Sequence, residues 1–134
     1  MGTLPIDTNI VSFLFKNDTR ALQYAPLLTG NRLSISFVTV GELFEWATVR
    51  TWGPARRQQL EQRLTTYLVI PVDIELCRVW GAIRGEQQAK GTSISTNDAW
   101  IAATARRHTL PLVTHNPKDF ANVQGLDVRS IIIT

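Results

Sequence analysis

One cysteine, Cys77, stands in 134 residues, so neither an internal disulfide framework nor a cysteine-rich zinc site is available. Histidine is nearly as scarce. His108 and His115 are the only two, and their spacing excludes a His-x-x-x-His zinc pair on one helix turn. No apolar run approaches the roughly 20 residues that cross a bilayer. The opening MGTLPIDTN has neither the basic nor the apolar region of a secretory signal. The expectation is a protein in a reducing, cytoplasmic setting without a membrane anchor. A Walker loop, a Gly-x-Gly-x-x-Gly fingerprint and a Ser-His-Asp set are also missing, so no nucleotide-cradling or serine-nucleophile chemistry is indicated.

What is present is ordinary in bulk. Hydrophobic residues make up 44% and charged residues 19%, a composition that folds. The length suits one domain with a real core, spanning 1–134, and there is no internal repeat, low-complexity tract or linker. Fourteen Lys and Arg against eleven Asp and Glu give a net charge of +3. That excess is compatible with a nucleic-acid partner and equally with a plain solvated basic surface.

Along the chain, apolar runs alternate with helical patterns. Leu4 to Ile6 reads as a strand ending in Asp7, although Pro5 cannot donate to a ladder, so the strand is expected to begin at or after it. Ile10, Val11, Phe13 and Leu14 recur at helical spacing, and a second helix is expected from Asn17 to Leu28. Leu33 to Phe37 alternates like a strand. Thr39 with Glu42 has the spacing of a capping box, placing Glu42 in a first turn ahead of a helix buried through Val40, Leu43, Phe44, Ala47 and Trp46. Pro54 after Trp52-Gly53 suits the first position of another helix, with Leu60, Leu64 and Leu68 on one face and Arg56, Arg57 and Arg63 exposed. Val69 to Val72 reads as a third strand. Asp73 then caps a helix to about Lys90, and Asp73 and Glu75 are read as structural acids at its positive end. Ser95 caps a last, strongly apolar helix, AWIAATARR, with Asp98 in its first turn. Leu110 to Val113 and Val128 to Ile133 read as final strands, with a turn at Asn116-Pro117. The order indicates an α/β fold, a central parallel sheet wrapped by helices.

Asp7, Glu42, Asp98 and Asp119 each fall at the carboxyl end of a strand or the start of the next helix. In a doubly wound sheet those ends share one edge, so the four acids can converge. Converging carboxylates need a positive partner to remain ionised, and a hard divalent cation, Mg²⁺ or Mn²⁺, is the usual one. Such an ion beside a basic surface suits phosphodiester hydrolysis by an activated water. Thr8, Asn9 and Thr114 are small polar residues placed to orient ligands or water. Taken alone, Asp98 is equally a helix cap, and Asp7 also reads as the N-cap of the helix that follows it.

Four stretches, IDTNIVSFLF, TVGELFEWA, STNDAWIAATA and LVTHNPKDF, together resemble the acidic motifs of the PIN-domain family, in order and spacing, over nearly the whole chain. The resemblance is nearest to the VapC-type toxins of bacterial toxin–antitoxin pairs. It implies a sheet of about five parallel strands and a Mg²⁺- or Mn²⁺-dependent endoribonuclease, often dimeric and inhibited by a small antitoxin protein. Carried over, Asp7, Glu42, Asp98 and Asp119 are the metal-site acids, supported by Thr8, Asn9 and Thr114. The chain departs from the family pattern at Pro5 and Asn97, and neither departure removes a ligand. The alternatives are a silent module of the same fold that binds RNA or protein without cutting, and a phosphoacceptor receiver domain. The latter lacks its paired acids after the first strand and its lysine after the last. Arg50, Arg56, Arg57, His115 and Lys118 are the candidate RNA contacts. A homodimer is expected, joined through exposed apolar residues between about Trp46 and Leu68.

Overall fold

In the computed structural model of the chain, residues 2–132 are described. Strands and helices follow the expected order: β1 (Thr3–Pro5), α1 (Thr8–Lys16), α2 (Thr19–Leu28), β2 (Arg32–Ser36), α3 (Phe37–Val49), α4 (Pro54–Leu64), β3 (Leu68–Ile70), α5 (Ile74–Lys90), α6 (Thr96–Arg107), β4 (Leu112–Val113), a 3₁₀ turn over Pro117–Phe120, and β5 (Val128–Arg129). All strand pairs are parallel. β1, β2 and β3 form one ladder and β4 and β5 another, and a single bridge between Ile6 and Val113 joins them. The strands therefore run β3-β2-β1-β4-β5 across the sheet. The direction of winding reverses between β1 and β4, the place where open α/β sheets leave a crevice at their carboxyl ends.

Pro5 lies inside β1, paired with Ser34, where the sequence led us to expect the strand to start at or after it. Hydrogen-bond alternation explains the tolerance. The amide of Ile6 donates to Ser34 in β2, and that of Asp7 donates to Val113 in β4. The missing amide of Pro5 thus faces the β4 side, one step before β4 pairing begins, and no ladder bond is lost.

Two cores cover the two faces of the sheet. Leu4, Ile6, Ile35 and Val113 pack with Ile10, Tyr24, Leu43 and Leu60 of the first four helices. Leu112, one residue before Val113 and so on the opposite face, packs with Leu76, Ile83, Ile101, Ala102 and Phe120. The expected burial of the AWIAATARR helix holds: Ala99, Ile101, Ala102, Ala103, Thr104 and Ala105 are all buried.

Local details depart from expectation for identifiable reasons. α2 begins at Thr19, because Asn17 takes a left-handed conformation that ends α1 and Asp18 caps the new helix. Ser36, not Thr39, caps α3, accepting from the Val38 amide, so Glu42 sits in the second turn and Thr39 is inside the helix. Phe44 is exposed instead of buried. α4 stops at Leu64 and Leu68 opens β3, which spans Leu68–Ile70 and not Val69 to Val72. Arg57 and Arg63 are half-buried and donate to backbone carbonyls of Trp52, Ala47 and Leu14. The last strand is only Val128–Arg129; Ile133 lies outside the described residues. Among the described residues no helix is long and apolar enough to cross a membrane.

Candidate active site

Asp7 leaves β1 at the point of reversal and enters α1 as its N-cap. One carboxylate oxygen accepts the Thr8 amide at 2.7 Å; the other accepts the Thr114 hydroxyl at 2.7 Å, arriving from the end of β4. Asp7 is therefore both the cap and a fixed member of the crevice. Thr114 is held in turn by the Asn116 amide at 3.0 Å and by the Asn9 side-chain amide at 3.5 Å, while Asn9 accepts the His115 amide at 3.2 Å. With its single proton directed to Asp7, the Thr114 hydroxyl can only accept from the other two.

A second relay fixes Glu42. Its Oε1 accepts the Thr8 hydroxyl at 2.7 Å, and the Thr39 hydroxyl lies 2.9 Å from that of Thr8. Because Thr8 directs its proton to the carboxylate, Thr39 is the donor to Thr8. Asn97 reaches the other oxygen of Glu42 at 3.4 Å. The departure at Asn97 thus has a use, tying the start of α6 to α3. Thr39 is a site residue that sequence reasoning missed. Its spacing from Glu42 signalled a cap, and only the earlier start of the helix at Ser36 turns it inward.

Asp98 sits in the first turn of α6, its amide donating to the Ser95 hydroxyl at 3.1 Å. Asp119 is exposed on the 3₁₀ turn after β4. The two share a cavity of about 280 Å³ with Ser95, Lys118 and Asn122.

Asp7 and Asp98 are both perturbed. Burial pushes the Asp7 carboxyl up to about 6, opposed by the Thr114 and Thr8 hydrogen bonds and reinforced by the charges of Asp98 and Glu42. Asp98 is raised as well, first by burial and then by the charges of Asp119 and Glu42, with the Ser95 hydroxyl opposing. Elsewhere Asp18, Asp73, Glu75, Glu86 and Asp127 are paired with arginines; among the described residues no such pair involves any of these four. An uncompensated cluster of negative charge lies at the switch point of the sheet. Among the described residues, however, no three of its acids stand close enough together to form a ready-made metal cage.

A PIN-domain family model matches residues 5–126. The chain belongs to the PIN-domain family, and within it to the VapC-type toxins. It is 30% identical to Ribonuclease VapC1 of Haemophilus influenzae (strain R2866) over 127 residues, 90% of this chain and 92% of that one. In structure it is similar to DNA-bound VapBC from Salmonella typhimurium, with a TM-score of 0.80, 28% identity, and coverage of 97% of this chain and 98% of that one. It is also similar to VapBC-5 of Mycobacterium tuberculosis, a member of the VapBC family of toxin–antitoxin systems, with a TM-score of 0.67, 27% identity, and 98% of each chain covered. The four acids come from the carboxyl end of β1, the 3₁₀ turn after β4, the second turn of α3 and the first turn of α6.

The other candidate residues fall into two groups. Lys118 lines the cavity of Asp98 and Asp119. His115 adjoins the site through its backbone, but its Nδ1 is 2.6 Å from the buried Tyr24 hydroxyl and its ring packs edge-on against Phe13. Arg50, Arg56 and Arg57 are held by the α3–α4 pair: Arg50 over Trp46, Arg56 over Trp52 at 4.4 Å, and Arg57 on its two carbonyls. No described hydrogen bond or ion pair brings any of the three to the acids.

Proposed function

We propose that the chain is a metal-dependent endoribonuclease, a single catalytic domain acting as the toxin of a toxin–antitoxin pair. The observation that carries this reading is the set of buried Asp7, half-buried Glu42 and Asp98 and exposed Asp119 near the switch point, none of them in an ion pair among the described residues. The donors are oxygens, which suits Mg²⁺ or Mn²⁺ and not zinc. Mg²⁺ is usually held through one or two carboxylates with several waters retained, so a site without a three-acid cage fits it. Asp7 and Asp98, whose carboxyls are raised first by burial and then by the neighbouring acids, would hold the ion, with Glu42 and Asp119 beside them. When bound, such an ion supplies an acidified water and positive charge facing the phosphate.

The rest of the work belongs to side chains of this chain. Thr114 aims one oxygen of Asp7, and Thr39 through Thr8 aims one oxygen of Glu42, so neither carboxylate rotates freely. Lys118, in the cavity with Asp98 and Asp119, offers a cation to the substrate backbone. The name of the Haemophilus relative supports RNA as substrate, and the toxin–antitoxin complex of the Mycobacterium structure supports a small protein inhibitor. Homodimerisation is part of the same proposal. A silent binding module is the second reading, favoured by one observation, the absence of a three-acid group among the described residues.

Cleavage of single-stranded or loop RNA decides between them. Mg²⁺ or Mn²⁺ should be required, products should carry a 5′-phosphate, Asp98→Asn should abolish cleavage, and Asp73→Asn should leave it intact. No cleavage by the wild type would overturn the enzyme reading in favour of the silent module. Cleavage that persists in excess EDTA would overturn the metal requirement, and equal activity of the two variants would return Asp98 to a helix cap.

A further inference from the structure

Beside the acidic cavity lies a second one, of about 430 Å³, with a different lining. The two share Gln87, Ser93 and Ile94 as a common wall, so they are immediate neighbours and a nucleotide flanking one that lies over Asp98 and Asp119 is within reach of it. Its volume is within the roughly 300–1,000 Å³ of ordinary small-molecule pockets. On the α5 side it is lined by Trp80, Gly81, Arg84 and Gly85, and no carboxylate lines it.

The two glycines have no conformational reason to be there. Neither has a positive φ, both lie inside a helix, and glycine in a helix interior costs about 0.8–1.0 kcal/mol relative to alanine. A Cβ built on either would meet nothing within 4 Å. They are four residues apart, on one face of α5, and their effect is to leave an open shelf between Trp80 and Gln88. The shelf is braced. Trp80 stacks on Trp100 with ring centroids 4.8 Å apart and planes 14° apart. The Arg84 guanidinium lies 5.8 Å from the Trp80 ring centroid and donates to the Ile94 carbonyl at 2.7 Å, holding the loop that separates the two cavities. Gln87 is buried and bonded to Asn122 and Thr92, which fixes the shared wall.

We infer that this shelf is a subsite for one unpaired RNA base flanking the scissile phosphate, seated over Gly81 and Gly85 against Trp80 and Arg84. A flat shelf beside an aromatic ring and a guanidinium accepts the face of any base. One cation and no acid suit the adjoining backbone. This rests on the ribonuclease reading above and adds to it the requirement that a flanking nucleotide be single-stranded.

The test uses the whole chain with Gly85→Leu, which fills the shelf from a helical position with free space around it. Trp80→Ala would undermine the packing under α6 and is less informative. RNA oligonucleotide affinity is read by fluorescence anisotropy in EDTA, and KM and kcat are read with Mn²⁺. Expected are a loss of affinity and a rise in KM of about tenfold, with kcat retained, the size of one lost base stack. An oligonucleotide abasic at the flanking position should bind the wild type as weakly as the intact one binds Gly85→Leu. If the variant binds and cleaves like wild type, the subsite is wrong and the ribonuclease reading stands. The subsite is equally wrong if the variant loses only its inhibition by a protein partner. If wild type neither binds nor cleaves RNA, both readings fall together.

Discussion

Asp7 holds two roles in one side chain, and its ionisation separates them. Capping α1 needs only an acceptor, whereas a place in an acidic cluster needs a carboxylate that is expensive to ionise. Its pKa of about 6 in the fold, against an ordinary 3.8, means that the folded protein holds this proton more tightly than the unfolded chain. The stabilisation is therefore complete below pH 3.8 and is lost as the pH rises to 6. That interval amounts to about 3 kcal/mol, since each pH unit is worth about 1.4 kcal/mol. Asp7→Asn cannot ionise. In EDTA, the stability of wild type relative to Asp7→Asn should therefore fall by a few kcal/mol between pH 4 and pH 7.5, measured by urea unfolding. A difference that does not change with pH would show that Asp7 is a cap and nothing more. Residue by residue, Asp7 and Asp98 were readable as candidates because one follows a strand and the other opens a helix, whereas Glu42 lies a turn deeper in α3, and Asp119 further beyond β4, than the local signals implied. Thr39 was not readable, because a hydroxyl three residues before a glutamate carries the same local signal whether it caps or points inward. Only the hydroxyl of Thr8, 31 positions away in sequence, decides which.

At the scale of elements, the order of strands and helices was legible because buried parallel strands and amphipathic helices have different apolar periods. Boundaries were less so. Leu68 continues the i, i+4 series of Leu60 and Leu64, yet it belongs to β3, because pairing with Ser34 outweighs a fourth helical turn. The apolar surface that the α3–α4 pair leaves to a partner is also smaller than the sequence suggests. Leu60 is buried and Trp46, Trp52 and Leu64 are half-buried within the fold, so what remains there is chiefly Phe44 and Val49, with Val49 74% exposed. The proposed homodimer should depend on that surface. Sedimentation at micromolar concentration should show a dimer for wild type, a shift toward monomer for Val49→Asp, and no shift for Leu22→Asp, a control residue 77% exposed on α2. A monomeric wild type, or a dimer indifferent to Val49→Asp, would contradict it.

For the molecule as a whole, the sheet order β3-β2-β1-β4-β5 brings the segments that carry the four acids to one edge of the sheet, and no local pattern in the chain encodes that order. Without metal, burial first and the neighbouring acids second make Asp7 and Asp98 costly to ionise, which lowers the stability of the fold at neutral pH. An ion that binds only the folded site offsets this. At a hundredfold excess over its dissociation constant the gain is roughly 2.7 kcal/mol, or several degrees in melting temperature for a chain of this size. The deciding measurement is the melting temperature of wild type and of Asp98→Asn at pH 7.5, each in EDTA and in millimolar Mn²⁺. If the acids share one cation, Asp98→Asn melts higher than wild type in EDTA, Mn²⁺ raises wild type by several degrees, and Mn²⁺ leaves the variant nearly unmoved. A wild type indifferent to Mn²⁺, or a variant plainly less stable than wild type in EDTA, would mean that the acids do not form one cation site.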